Sequence, residues 1–130
     1  MYILDTNILI YYFKGQGNVA SAFASIAPQE IAVPTIVLFE LYVGIGKSSA
    51  STKRREQLGQ ILQWITILPF DLATAKAAAE VRVLLERKGT SIRPIDGLIA
   101  GTAIAHKARL VTHNVREFAR VPNLEIVDWF

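Results

Sequence analysis

The chain has 130 residues, 52% hydrophobic and 19% charged, a balance at which burial offsets conformational entropy; disorder is excluded and one domain spanning 1–130 is expected. Cysteine is absent and there are only two histidines, which removes disulfides, thiolate zinc sites and cysteine nucleophiles and leaves oxygen to hold any metal. No apolar run nears the roughly 20 residues that span a bilayer, and the start lacks a basic leader, so a cytoplasmic protein with no membrane contact is expected despite a modest +3 charge.

Tyr2-Ile3-Leu4 reads as a short buried strand running into the polar turn Asp5-Thr6-Asn7 and an apolar helix through Phe13, broken by Gly15-Gln16-Gly17-Asn18. Val19 to Ile26 reads as another helix and Ile31-Ala32-Val33, before Pro34, as a second strand. Thr35 opens a helix that is apolar almost all round from Ile36 to Ile45, which predicts burial; its single charge is Glu40. After the small residues 48–51, a helix from Thr52 to Trp64 carries Lys53-Arg54-Arg55 in its first turn, where the helix dipole favours acids.

Ile65 to Leu68 is a third strand, followed by Asp71 as cap of an Ala-rich helix that Gly89 ends near Lys88. Pro94-Ile95-Asp96 opens the next helix, Gly97 to Lys107. Arg109 to Thr112 is a strand, His113 to Phe118 a turn with a short helix, and Glu125 to Val127 a last strand. Strands alternating with helices predict a three-layer α/β/α sandwich around a parallel sheet of four to five strands. In such sheets ligands bind beyond the carboxyl ends of the strands, where strand order reverses. Asp5 and Asn114 both lie just past a strand end.

Asp5 and Asp96 each precede a helix and can be read as caps as easily as site residues. Glu40 is sharper, because a carboxylate among Val37, Leu38, Phe39, Leu41, Tyr42 and Val43 needs a partner. If the three acids converge, each pair at about 4 Å repels by roughly 4 kcal/mol at an effective dielectric near 20. A hard dication relieves that repulsion and activates water for phosphodiester hydrolysis. Setting these three aside leaves 14 basic against 8 acidic residues, a +6 exterior suited to a polyanion. Lys53, Arg54, Arg55, Arg87, Lys88, Arg93 and Arg116 are the candidates for following the backbone of such a polyanion. No aromatic residues alternate with them, so no base-stacking platform is visible.

Four pieces, in order, carry a resemblance: Leu4-Asp5-Thr6-Asn7, Glu40-Leu41, Asp96-Gly97-Leu98-Ile99-Ala100, and Leu110 to Phe118 with Val121-Pro122-Asn123-Leu124 and a tryptophan behind it. The chain resembles the PIN-domain nucleases over its whole length, and among them the VapC-type toxins of toxin-antitoxin modules. The resemblance implies that Asp5, Glu40 and Asp96 hold Mg²⁺ or Mn²⁺ and that Asn114 fills a fourth, Asp-or-Asn position. It implies that Thr6 and Thr112 support the site through their hydroxyls, with Glu117, one helical turn on, compensating for the neutral amide of Asn114. The activity implied is metal-dependent endoribonuclease, and the partners are an RNA substrate, a cognate antitoxin and a second copy of the chain. The alternative is a non-catalytic or RNA-processing PIN-domain protein outside such a module.

Rivals are excluded by specific residues. Aspartyl-phosphate chemistry wants a second Asp where Asn7 stands, and a receiver domain wants a lysine that Leu110 to Asn114 does not supply. A nucleotide-binding turn would be glycine-rich, and Asp5-Thr6-Asn7 is not.

Overall fold

β1 (Tyr2–Leu4) is the centre of a sheet whose order is β3-β2-β1-β4-β5, all parallel, in a computed structural model that describes residues 1–130. The other strands are β2 (Ile31–Pro34), β3 (Thr66–Leu68), β4 (Arg109–Val111) and β5 (Ile126–Val127). Ile3, Leu4, Ile31, Ala32, Val33, Leu110 and Val111 are fully buried, which is why the three central strands read as continuous apolar runs. The edges are short: β5 has two residues, and Ile67 of β3 is exposed.

The helices are α1 (Thr6–Lys14), α2 (Val19–Ala24), α3 (Thr35–Gly46), α4 (Ser51–Ile61), α5 (Leu72–Arg87), α6 (Pro94–Ala105) and α7 (Val115–Phe118). From β1 the chain winds outward to β2 and β3, then crosses back to β4 and β5 on the other side of β1. Right-handed crossovers of opposite travel put α1 to α4 on one face and α5 to α7 on the other, the expected α/β/α sandwich. The reversal point lies between β1 and β4. There Asp5 N–H donates to the Val111 carbonyl at 2.9 Å, so the first residue beyond β1 is fixed beside the first beyond β4.

Local signals place the helices as expected. Gly15, at φ 65°, closes α1 with its N–H on the Tyr11 and Tyr12 carbonyls, and Asp71 caps α5 by accepting from Thr74 N–H at 3.0 Å. α5 and α6 pack closely because Gly101 has no side chain: a Cβ there would lie 2.5 Å from the Ala78 Cα. That contact sets the height of α6, and with it Asp96.

Two sequence expectations change. α3 is not buried all round, since Phe39, Tyr42 and Val43 are 59%, 48% and 42% exposed while Val37, Leu38, Leu41 and Ile45 face the core. The basic start of α4 has a partner: Arg54 Nη1 donates to the Phe13 carbonyl at 3.2 Å and to Gln57 Oε1 at 2.8 Å. It therefore serves the negative end of α1 rather than opposing its own helix.

Candidate active site

The buried strand β1 delivers Asp5 to the sheet rim, and backbone geometry then fixes its carboxylate. As N-cap of α1, Asp5 accepts from Thr6 N–H through Oδ1 at 2.8 Å, and its Oδ2 accepts from the Thr112 hydroxyl at 2.7 Å. Thr112 sits one residue past β4, fully buried, and its Oγ1 also accepts from Asn114 N–H at 3.0 Å. The hydroxyl proton is thus committed to Asp5. Burial raises the Asp5 pKa, the Thr112 and Thr6 hydrogen bonds oppose it, and the charge of Glu40 adds to the rise.

Glu40 comes from the middle of α3, its side chain 18% exposed. Its Oε1 accepts from the Thr6 hydroxyl at 2.6 Å, so Thr6 alone both holds Asp5, through its N–H, and orients Glu40. Glu40 Oε2 lies 3.4 Å from Arg93 Nη2.

Asp96 stands in the first turn of α6, 4% exposed, and its Oδ2 is buried with no hydrogen-bond partner. An ionised carboxylate so placed is costly. Its pKa is raised from 3.8 to about 7, first by burial, then by its contact with Glu117 and that residue's charge, and then by Asp5. Glu117 moves the other way. Burial pushes it up, but hydrogen bonds from Asp96, Arg93 N–H and the Asn114 amide outweigh that and hold it below its usual range. The contact between the two acids thus pushes Asp96 up, on top of the burial that dominates there, and pushes Glu117 down.

Glu117 is tied down at both oxygens, accepting from Arg93 N–H at 3.2 Å and from Asn114 Nδ2 at 2.6 Å. The Asn114 amide is thereby turned toward Glu117, and the acid at this corner is Glu117 itself. Asp5, Glu40, Asp96 and Glu117, from four separate segments, meet at the reversal point with Thr6, Thr112 and Asn114 as their donors. Arg93, which sequence placed only among RNA-following cations, belongs to this cluster. Its signal was position alone, a cation three residues before a first-turn acid.

As they stand, no three acids are drawn close enough to grip one ion. The chemistry nevertheless suits a hard dication: the donors are all oxygen, two acids are pushed toward neutrality by burial and mutual repulsion, and a buried carboxylate oxygen lacks a donor. Two grooves reach the cluster from its flanks. One, about 240 Å³, is lined by Ile10, Phe13, Glu40, Leu41 and Arg54; the other, about 570 Å³, runs between α5 and α6 to Ser91, Arg93 and Pro94.

Fold and site together define the class: a doubly wound α/β domain with clustered carboxylates at the strand-order reversal. A family model described as PIN domain matches residues 2–124. The chain belongs to the PIN-domain family, in its VapC branch. It is 37% identical to ribonuclease VapC2 of Rickettsia felis, over 99% of this chain and 98% of that protein. It is 31% identical to the tRNA(fMet)-specific endonuclease VapC of Salmonella typhimurium, over 98% and 97%. Among solved structures, VapBC2 of Rickettsia felis bound to a promoter DNA fragment superposes with a TM-score of 0.92 over 99% of this chain and 98% of that one, at the same 37% identity.

Proposed function

We propose that this chain is an endoribonuclease, the toxin of a toxin-antitoxin pair, that hydrolyses RNA phosphodiesters with Mg²⁺ or Mn²⁺ held by Asp5, Asp96 and Glu40, and by Glu117 beside Asn114. One observation carries it: the residue after β1 and side chains from α3, α6 and α7 bring four carboxylates to one rim, where Asp96 Oδ2 is buried and unpartnered. Uncompensated, that arrangement is destabilising. When bound, the dication supplies a lowered pKa for attacking water and charge stabilisation for the phosphoryl group.

The chain's own residues do the rest. Thr112 and Thr6 keep Asp5 in one orientation, and Thr6 aligns Glu40. Asn114 and the Arg93 backbone hold Glu117 beside Asp96. We take Asp5, Glu40, Asp96 and Glu117 as ligands and Thr6, Thr112 and Asn114 as their supports.

Partners follow from the exposed apolar faces. Phe39, Tyr42 and Val43 on α3 suit a second copy of this chain, and a groove lined by Tyr12, Phe13, Phe23 and Trp64, the last 69% exposed, suits an antitoxin segment. No helix is long and apolar enough to cross a membrane, and work on RNA belongs in the cytoplasm. The specificity named for the Salmonella relative makes transfer RNA the first substrate to try.

The test is cleavage of total RNA and of transfer RNA with Mn²⁺ or Mg²⁺, against EDTA. Wild type cuts and EDTA stops it, while D5N, E40Q and D96N lose activity by at least a hundredfold, about 3 kcal/mol in the barrier. Undiminished cutting by those variants overturns the site.

A further inference from the structure

The acid cluster contains one cation. Of the chain's ion pairs, only Arg93 with Glu40 touches it; Arg82–Glu86, Arg109–Glu125, His113–Asp128 and the N-terminus with Glu30 lie elsewhere. The contact is long, 3.4 Å, and the Arg93 side chain is 64% exposed, so the guanidinium is loosely held and little burial is lost when it moves. The main chain beneath it is not loose. Arg93 N–H donates to Glu117 and Pro94 begins α6 directly after it, so the base of this side chain is anchored at the cluster whichever way its tip points. Its charge also acts on Asp5, Asp96 and Glu117, lowering the pKa of each. Arg93 also lines the groove between α5 and α6.

We propose that Arg93 is a built-in counter-charge that doubles as a phosphate clamp: paired with Glu40 while the acids lack a dication, and transferred to an RNA phosphate once the dication takes Glu40. This rests on the metal-nuclease function above. A guanidinium suits both duties. Its planar fork matches a carboxylate edge and a phosphate edge alike. A dication beside the acids removes its electrostatic hold there, and the phosphate it would meet next carries the same chemistry as the carboxylate it left. The side chain therefore works against metal binding and in favour of RNA binding, a crossed pair of effects that no purely structural residue produces.

The experiment measures Mn²⁺ affinity by calorimetry without RNA, and then steady-state cleavage against RNA and salt, for wild type, R93A and R93K. All three keep the backbone N–H to Glu117, and the site is exposed, so folding is not at issue. R93A is expected to bind Mn²⁺ roughly three- to tenfold more tightly, from loss of a nearby like charge. It is expected to raise KM for RNA by roughly tenfold and to lower the salt slope of log(kcat/KM) by about one, from loss of one phosphate contact. R93K restores the Mn²⁺ affinity of wild type and only part of the KM.

If wild type binds Mn²⁺ and R93A binds it equally or more weakly, or if KM and salt slope do not move, the proposal fails while the nuclease stands. If wild type binds no Mn²⁺ at all, both fail.

Discussion

Replacing Asp96 with Asn in metal-free buffer should stabilise the protein, and increasingly so as pH rises. The folded-state pKa of Asp96 is raised to about 7 from 3.8, so the folded protein binds this proton more tightly than the unfolded chain. Below about pH 4 both states are protonated and Asp96 costs nothing. Between about pH 4 and 7 its cost grows, and above about 7 it is fully present. A shift of about three units corresponds to about 4 kcal/mol. Part is returned by Glu117, whose lowered pKa reflects its contact with Asp96, and the helix dipole gives up about 0.5 kcal/mol when the first-turn charge goes. The net gain for D96N at pH 8 is therefore smaller than about 4 kcal/mol but positive, a rise of several degrees in Tm for a domain of this size, and it shrinks to nothing near pH 4. Urea unfolding in EDTA across pH 4.5–8.5 measures it directly. Excess Mg²⁺ should reverse the order, because only the wild type is stabilised by binding. A D96N variant less stable than wild type at pH 8 in EDTA would refute the reasoning and make Asp96 a structural cap.

Two further outcomes follow from the same contacts. Thr112→Val keeps the shape but removes the donor to buried Asp5, so it should cost about 1–3 kcal/mol in urea unfolding and reduce cleavage, whereas Thr112→Ser should retain both. Gly101→Val forces side-chain atoms into the Ala78 backbone and should cost about 1–3 kcal/mol or more, lowering Tm and displacing α6, so that activity falls even at temperatures where the variant remains folded.

Much of this was legible in the sequence because local rules and tertiary demands coincide. β1 is a bare apolar triplet followed by a polar residue, which marked Asp5 as a rim position, and Pro94 marked the first turn that carries Asp96. Glu40 was conspicuous as the one charge on an apolar helix. The same helix shows where pattern stops informing: a stretch that is apolar all round does not say which of its sides meets the core, so Phe39, Tyr42 and Val43 read as buried and are exposed. Arg54 looked misplaced because its partner, the Phe13 carbonyl, lies 41 residues away. The contact of Asp96 with Glu117, and Arg93 between Glu40 and Glu117, depend on how the loop before α6 meets α7. No periodicity encodes such a meeting.

The central claim is that these carboxylates hold a dication, and crystals soaked in Mn²⁺ test it most directly through anomalous scattering at the manganese edge. The account predicts a peak within about 2.5 Å of oxygens of Asp5 and Asp96, with the Asp96–Glu117 contact opened, and its disappearance in D96N crystals. A structure in which Mn²⁺ saturates other sites while Asp5, Asp96 and Glu117 keep their metal-free contacts would contradict it.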